Sequence, residues 1–169
     1  MTRLATERLI LRMFGESDLD AYAAMCGDPE VMRYLAPKPM TRAEAWRHMA
    51  MVLGHWQLRG YGLWAVEERA SGLLAGRVGC WRPEGWPGFE VGWALRREFW
   101  GRGYATEAAR VALDQAFTEL GQTRVISLIR PENARSIAVA ARLGMTCHGQ
   151  TDLNGNPALI YALTRESTG

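Results

Sequence analysis

Residues 100–107, with the sequence Trp-Gly-Arg-Gly-Tyr-Ala-Thr-Glu, lie where an apolar strand segment ends and a strong helical pattern begins. The first N–H groups of a helix have no backbone partner, and the helix start carries roughly half a positive charge. Gly101 and Gly103 allow positive φ in the preceding turn, so several N–H groups can point at one spot. The junction therefore predicts an anion site, and phosphate is the anion that suits it best.

Two common phosphate-binding fingerprints do not fit these glycines. In the dinucleotide pattern Gly-x-Gly-x-x-Gly, Thr106 stands at the third glycine position, and no acidic residue ends the next strand to bind a ribose. The P-loop pattern needs Lys followed by Ser or Thr after the glycines, and that pair is missing here. A tight strand-to-helix turn without a ligand is the structural alternative.

Helical periodicity and capping patterns predict the helices around this junction. The clearest helix spans about residues 104–120, because its apolar residues recur at helical spacing and Gly121 can end it. Thr41 with Glu44 three residues later forms a capping box, which predicts a second long helix to about residue 58. The predicted helices begin at Ser17, Thr41, Tyr104 and Asn133, and a brief helical turn follows residue 29.

Strand segments are predicted where β-rich runs lie between turn residues. They cover residues 8–13, 61–67, 73–81, 89–95, 124–129, 146–150 and 158–163. The order β-α-α-β-β-β-α-β-α-β-β predicts a single α+β (mixed α/β) domain over residues 1–169, with about seven strands and four helices. Short connections predict antiparallel neighbours, whereas the helix at 104–120 crosses between two parallel strands, 89–95 and 124–129.

Composition disfavours several functional classes. The 169 residues carry a net charge of +2 with scattered arginines, so nucleic acid is not an expected partner. No segment approaches the roughly 20 apolar residues of a membrane span, and no signal-peptide core fits. Cys26, Cys80 and Cys147 are far apart and odd in number, so we expect free thiols and a cytoplasmic location. His48 and His55 miss the i,i+4 spacing of a metal pair, and no metal is expected.

Four segments together resemble the GCN5-related N-acetyltransferase (GNAT) superfamily. Residues 100–108 resemble its acetyl-CoA-binding motif Gln/Arg-x-x-Gly-x-Gly/Ala, with Trp100 at the first position. Residues 131–145 resemble its Asn-x-x-Ser…Leu-Gly-Phe segment. Residues 6–12 and 28–35 are similar to the openings of the ribosomal-protein alanine acetyltransferases, the RimJ/RimL-like branch.

This resemblance implies the GNAT fold, with a central mixed and mostly antiparallel sheet, and acetyl-CoA as acetyl donor. It implies an N-acetyltransferase whose acceptor is a primary amine, on a protein N-terminus or a small molecule, acetylated by direct transfer in a ternary complex. In the family the fourth and fifth strands separate, and pantetheine lies along the open edge like an extra strand. A homodimer is expected by analogy. The residues implied to bind acetyl-CoA are Leu95, Trp100, Gly101, Arg102, Gly103, Tyr104, Ala105, Thr106, Asn133 and Ser136.

Glu90 is the expected catalytic base, because family members often have a catalytic glutamate at about this place. Strand alternation puts Glu90, Gly92 and Ala94 on one face, where the two small neighbours leave room for substrate. Glu67 and Asp152 are weaker candidates for the same role.

Asn133 and Ser136 are expected near the thioester. Asn133 is a natural N-cap, and the resemblance adds a contact with pantetheine. Ser136 is implied to stabilise or protonate the departing thiolate. Many family members use a tyrosine on this helix, and none is present here, which leaves the general acid open.

The alternative function is a non-catalytic module of the same fold that binds or senses acyl-CoA. Five of the seven tryptophans have two interpretations, as walls of an acceptor pocket or as core and rim residues. They are Trp56, Trp64, Trp81, Trp86 and Trp93.

Overall fold

A computed structural model describes residues 3–165, in which one mixed sheet of eight strands packs against five α-helices. The strand order is β1-β2-β3-β4-β5-β6-β8-β7. The strands are β1 (Leu4–Ala5), β2 (Leu9–Arg12), β3 (Leu63–Glu68), β4 (Leu74–Trp81), β5 (Glu90–Leu95), β6 (Arg124–Ile129), β7 (Thr146–Leu153) and β8 (Asn156–Thr164). The helices are α1 (Leu19–Gly27), α2 (Pro29–Met32), α3 (Arg42–Arg59), α4 (Tyr104–Thr118) and α5 (Ala134–Arg142).

The predicted fold class is confirmed, with one more strand and one more helix than expected. The additional strand, β1, has two residues and pairs with β2, so it is too short to show periodicity in the sequence. The additional helix, α2, is the turn predicted after residue 29. Pro29 begins it, and the side chain of Asp28 accepts a hydrogen bond from the N–H of Glu30.

Two hydrophobic cores lie on opposite faces of the sheet. On the first, which we call the α4 face, helices α4 and α5 cover the sheet. Four fully buried alanines bring α4 close to the strands: Ala108, Ala109, Ala112 and Ala116. On the second, which we call the α3 face, helices α1 to α3 cover β3 and β4 through Tyr22, Met49 and Val52. The long helix α3 has the predicted capping box and ends at Gly60 in the left-handed conformation.

Strands β5 and β6 are parallel, as predicted, but they pair at only one position. Glu90 is opposite Ile126, and the N–H of Ile126 donates to the carbonyl of Phe89 at 2.8 Å. The edge of β5 that faces β6 has no strand partner from Gly92 to Leu95, although β4 pairs with the other edge along its whole length. The two strands therefore open into a cleft that faces the start of α4.

None of the helices in residues 3–165 is long and apolar enough to cross a membrane.

Candidate active site

The junction before α4 has the geometry of an anion site. Gly101 and Gly103 have φ of 73° and 79°, and Gly103 is the N-cap of α4. The first helical hydrogen bond runs from the N–H of Glu107 to the carbonyl of Gly103 at 3.0 Å. Within the described chain, the N–H groups of residues 101–106 donate to no acceptor. The hydroxyl of Thr106 is also buried without a partner, so this loop suits a ligand rich in acceptor oxygens, such as a pyrophosphate.

Side chains from elsewhere hold this loop from behind. Arg8 donates to the carbonyl of Arg102 at 2.8 Å and pairs with the carboxylate of Glu107 at 2.6 Å. The side chains of Arg102 and Tyr104 both reach Glu68, at 3.1 and 2.6 Å. Arg102 and Tyr104, which were expected to bind acetyl-CoA, therefore offer it their backbone N–H groups while their side chains fix the loop.

Trp100 connects this loop to the open edge of β5. Its indole N–H donates to the carbonyl of Leu95 at 2.9 Å. The guanidinium carbon of Arg135, in the first turn of α5, lies 4.2 Å from the centre of the Trp100 ring. Leu95, predicted to contact pantetheine through its backbone, thus has its carbonyl bonded to Trp100.

Asn133, Ser136 and Trp93 meet at the start of α5. Asn133 is the N-cap, with its side-chain oxygen accepting from the N–H of Ser136 at 3.3 Å. The Ser136 hydroxyl oxygen accepts from the amide of Asn133 at 3.0 Å and from the indole of Trp93 at 3.2 Å. A serine oxygen has two lone pairs and one hydrogen. With both lone pairs occupied, the hydroxyl of Ser136 is set to donate its hydrogen to a third group.

The carboxylate of Glu90 lies at the base of the cleft. Glu90 is 9% exposed, and its two oxygens accept from the indole N–H of Trp86 at 2.7 Å and the N–H of Leu128 on β6 at 3.2 Å. Burial raises the pKa of Glu90, while these two donors and the positive charge of Arg77 act in the opposite direction. A carboxylate with a raised pKa is better suited to accept a proton near neutral pH than an exposed one.

An open space adjoins Glu90 on the α3 face. A Cβ placed on Gly92 would meet only the Glu90 carboxylate, at 3.9 Å, and Gly92 is partly exposed although β5 is a central strand. Arg77 on β4 faces the same side of the sheet, opposite Ala65 and Ala94. We call this space, with Gly92, Glu90 and Arg77 around it, the acceptor hollow.

The two weaker candidates for the catalytic base, Glu67 and Asp152, are engaged in structural contacts. Glu67 pairs with Arg12 at 2.7 Å, and Asp152 accepts from the N–H of Gly155 in the β7–β8 turn at 2.8 Å. Neither faces the cleft as a free carboxylate.

The histidines are separated from each other. His48 bonds through Nδ1 to the hydroxyl of Tyr22 at 2.8 Å. His55 contacts the carbonyl of Tyr61 through Nδ1 and the N–H of Arg82 through Nε2. In residues 3–165 no three His, Cys, Asp or Glu side chains are grouped to bind a metal.

The tryptophans divide between the core and the site. Trp64 is buried in the core, Trp56 donates to the carbonyl of Leu63, and Trp81 stacks on His55 at 4.3 Å. Trp86 and Trp93 instead donate to Glu90 and Ser136, the two predicted catalytic residues.

Sequence reasoning did not identify Arg8 and Arg77 as parts of the site. Arg8 lies 94 residues from the carbonyl that it contacts, so no local pattern reveals it. The sequence contains one indication of Arg77, because it is the only charged residue in the run Leu-Ala-Gly-Arg-Val-Gly-Cys-Trp of β4.

An open groove of ≈470 Å³ lies beside α3 and the segment before it. Its lining includes Pro37, Met40, His48 and Met51. It contains none of the residues that were predicted to bind acetyl-CoA.

Comparison with known proteins gives consistent matches over most of the chain. The family profile described as "Acetyltransferase (GNAT) domain" matches residues 8–146. The uncharacterized protein YkkB of Bacillus subtilis (strain 168) is 34% identical over 153 residues, which cover 85% of this chain and 85% of YkkB. The uncharacterized N-acetyltransferase p20 of Bacillus licheniformis is 30% identical over 151 residues, covering 88% of this chain and 85% of p20. An acetyltransferase crystal structure from Agrobacterium tumefaciens str. C58 matches with a TM-score of 0.87 and 30% identity, covering 98% of this chain and 95% of that one.

Proposed function

The chain belongs to the GNAT acetyltransferase family, and we propose that it moves the acetyl group of acetyl-CoA to a primary amine. The observation that supports this most strongly is that two open backbone surfaces adjoin, the free N–H groups of residues 101–106 and the unpaired edge of β5. The first suits a pyrophosphate and the second an extended chain with amide groups. Acetyl-CoA would supply an activated acetyl group, so that attack by the amine nitrogen forms a C–N bond, breaks the C–S bond and releases CoA as a thiol.

Glu90 is proposed as the group that takes a proton from the amine. An α-amino group has a reference pKa of about 8 and a lysine amine of about 10.4, so an acceptor amine arrives largely protonated at neutral pH. The buried carboxylate of Glu90 borders the acceptor hollow, and its raised pKa favours proton uptake. The hydrogen bonds from Trp86 and Leu128 hold it in place.

Ser136 is proposed to stabilise the sulfur as CoA leaves. Its hydroxyl accepts from Asn133 and Trp93, and therefore has one hydrogen left to donate. A hydrogen bond to a thiolate stabilises the negative charge that develops there. This role needs no tyrosine, and helix α5 has none.

The acceptor is proposed to be a protein N-terminus or a small-molecule amine. Residues 6–12 and 28–35 support the RimJ/RimL-like branch and hence a protein N-terminus. The open space over Gly92 is compatible with either. A cytoplasmic location and a homodimer remain predictions of the sequence.

Two measurements test the proposed activity. Acetyl-CoA should raise the melting temperature by an amount that grows as RT ln(1 + [L]/Kd), whereas NAD and ATP should not. Thiol release from acetyl-CoA across a panel of peptide N-termini, amino acids, polyamines and amino sugars should then reveal the acceptor. No stabilisation at millimolar acetyl-CoA would contradict both acetyl transfer and CoA binding.

The non-catalytic acyl-CoA-binding module is the second candidate, favoured by the absence of a tyrosine from α5. It predicts stabilisation by acetyl-CoA with no thiol release for any amine of the panel. The two measurements together therefore separate an enzyme from a sensor.

A further inference from the structure

Arg77 is a half-buried cation that forms no direct ion pair within residues 3–165. Its Nε atom is buried and has no hydrogen-bond partner in residues 3–165. None of the ion pairs in this part of the chain includes Arg77. Buried arginines are normally paired, because removing a guanidinium from water is costly unless its donors are used. An unpaired one on a central strand therefore suggests a partner from outside the chain.

The groups packed around Arg77 do not neutralise its charge. Burial raises the pKa values of Tyr22 and Cys26 on α1, with the charge of Arg77 acting in the opposite direction, and burial lowers the pKa of His48 on α3. Tyr22 is fully buried and bonded to His48, and burial lowers the pKa of His48 to about 3 with help from Arg77. These three neighbours are thus uncharged at neutral pH. The charge of Arg77 also reaches Glu90 on β5, with which it forms no ion pair.

The acceptor hollow places Arg77 and Glu90 on the same side of the sheet. Arg77 is opposite Ala94, and Glu90 is four residues before Ala94 on β5, which offsets the two backbone positions by about 13 Å along the strand direction. Between them lies Gly92, paired with Gly79 of β4; the space above Gly92 is open, whereas the backbone of Gly62 covers Gly79. A small molecule bound over Gly92 would therefore lie between a cation, Arg77, and a proton acceptor, Glu90, whose charges act on each other.

We propose that Arg77 binds a carboxylate of the acceptor, so that the substrate class is a small amine that also carries a carboxylate, such as an amino acid. This inference rests on the proposed acetyl transfer. A planar guanidinium forms two parallel hydrogen bonds to a carboxylate, and its unused Nε–H is part of that fork. The amine of the same molecule then lies beside Glu90. One ammonium proton goes to Glu90, the nitrogen gains the acetyl group, and a second proton leaves with the CoA thiol.

Matched acceptor pairs test this assignment. Each pair consists of an L-amino acid and its carboxamide, with rates expressed per unprotonated amine so that their different amine pKa values do not matter. Wild type should prefer the acid at least 10-fold in kcat/KM. Arg77→Gln should raise KM for the acids by about 10- to 100-fold, since hydrogen bonds to charged groups contribute at this level. The amides should be unaffected, and Arg77→Lys should recover part of the loss.

Arg110→Gln is the matched control. Arg110 is exposed on α4, where it contacts the carbonyl of Arg142 at 3.3 Å, so this variant should keep the wild-type preference. Acetyl-CoA affinity and melting temperature, measured for all variants, report whether Arg77→Gln still folds and binds the donor.

Three outcomes would overturn the assignment. The first is equal use of acids and amides by wild type, and the second is an equal loss for both in Arg77→Gln. The third is a clear preference for peptide N-termini over free amino acids, which would point to a protein acceptor.

A binding measurement keeps the test independent of turnover. Calorimetric titration of N-acetyl amino acids and N-acetyl amino amides into the CoA-saturated protein needs no catalysis. Acid binding that Arg77→Gln weakens supports the carboxylate site even if no amine is acetylated, in which case only the proposed activity fails. Equal binding of acid and amide by wild type overturns the site while leaving acetyl transfer untouched.

Discussion

The anion loop at residues 100–107 and the acceptor hollow beside Glu90 recognise their ligands in different ways. The loop offers consecutive backbone N–H groups, and its side chains Arg102 and Tyr104 are turned to Glu68 behind it. The hollow offers the side chains of Arg77 and Glu90, held on separate strands. Backbone recognition tolerates many sequences, whereas the chemistry of a side-chain site changes with one substitution. The loop therefore suits a donor that the whole family shares, and the hollow suits an acceptor that differs between members.

The two regions also differ in how their charges are balanced. Behind the loop, Arg8 pairs with Glu107 and Arg102 with Glu68. In the hollow, Arg77 lacks such a partner within residues 3–165, and burial raises the pKa of Glu90. Paired charges stabilise a fixed loop, whereas unbalanced buried charges are typical of groups that act on a ligand.

The largest expected effect is on the hollow, from Glu90→Gln. We expect kcat to fall by about 10²- to 10⁴-fold, the usual contribution of a general base, while acetyl-CoA affinity stays unchanged. In the profile of wild-type kcat against pH, the acid limb should have its midpoint above the ordinary glutamate pKa of 4.5. This limb should disappear in the variant. Steady-state kinetics across pH check both points.

Glu90→Gln should change the melting temperature little at neutral pH, because removal of a buried carboxylate offsets the loss of one of its two hydrogen bonds. A carboxyl whose pKa is raised on folding favours the folded state at low pH, and that contribution is lost as pH rises through the folded pKa. Glu84→Gln, at a nearly fully exposed side chain paired with Arg59, is the control and should retain activity. Unchanged turnover in Glu90→Gln would remove Glu90 as the base.

The second effect is on the loop, from Gly103→Val. A β-branched residue at φ of 79° is strained by about 1–3 kcal/mol, and relief of that strain would move the N–H groups. We expect acetyl-CoA affinity to fall by about 10- to 100-fold, with KM for the acceptor unchanged. Gly155→Val is the control, because Gly155 has a φ of 80° in the β7–β8 turn. It should lose similar stability without losing affinity, and equal affinities for the two variants would argue against the loop site.

The third effect concerns the stability of the α3 face, from His48→Gln. The pKa of His48 is lowered to about 3 by burial and by Arg77. The imidazole of His48 therefore stays neutral in the folded state, whereas in the unfolded state it takes up a proton below pH 6.5. Stability is thus lost as pH falls from 6.5 towards 3. Between pH 7 and 5 we expect wild type to lose up to about 2 kcal/mol more than His48→Gln. Urea unfolding at both pH values measures the free energy of unfolding, with His148→Gln, at an exposed histidine, as control. An equal change in that free energy between pH 7 and 5 for His48→Gln and wild type would contradict the prediction.

The smallest effect is on the support of the loop, from Arg8→Gln. The carbonyl of Arg102 and the carboxylate of Glu107 would each lose a donor. We expect acetyl-CoA affinity to fall by up to about 10-fold, as for one or two ordinary hydrogen bonds. Arg69→Gln is the control, because Arg69 contacts the carbonyls of Thr6 and Glu7 and does not reach the loop. Calorimetric titration that finds the same affinity for both variants would show that Arg8 does not position the loop.

The sequence predicted the order of the elements, the capping box of α3, the helix start at the anion loop and the parallel pair β5–β6. Each depends on residues close together in the chain or on a connection whose length and handedness are constrained. The sequence also indicates Glu90, Asn133 and Ser136, but their functional roles follow only from resemblance to a family. Their roles stay predictions. The pairing of Ser136 with Trp93 over 43 residues had no local signal.

What the sequence by itself determined is therefore the loop of residues 100–107, because glycine conformations and a helix start are local properties of the backbone. Only the tertiary structure decided the surroundings of Glu90 and Arg77. Strand register placed Gly92 between them, where the space above it is open, and the divergence of β5 from β6 left that edge of β5 unpaired. Register and divergence arise from packing across the whole sheet, so one residue of slip would turn Arg77 to the opposite face.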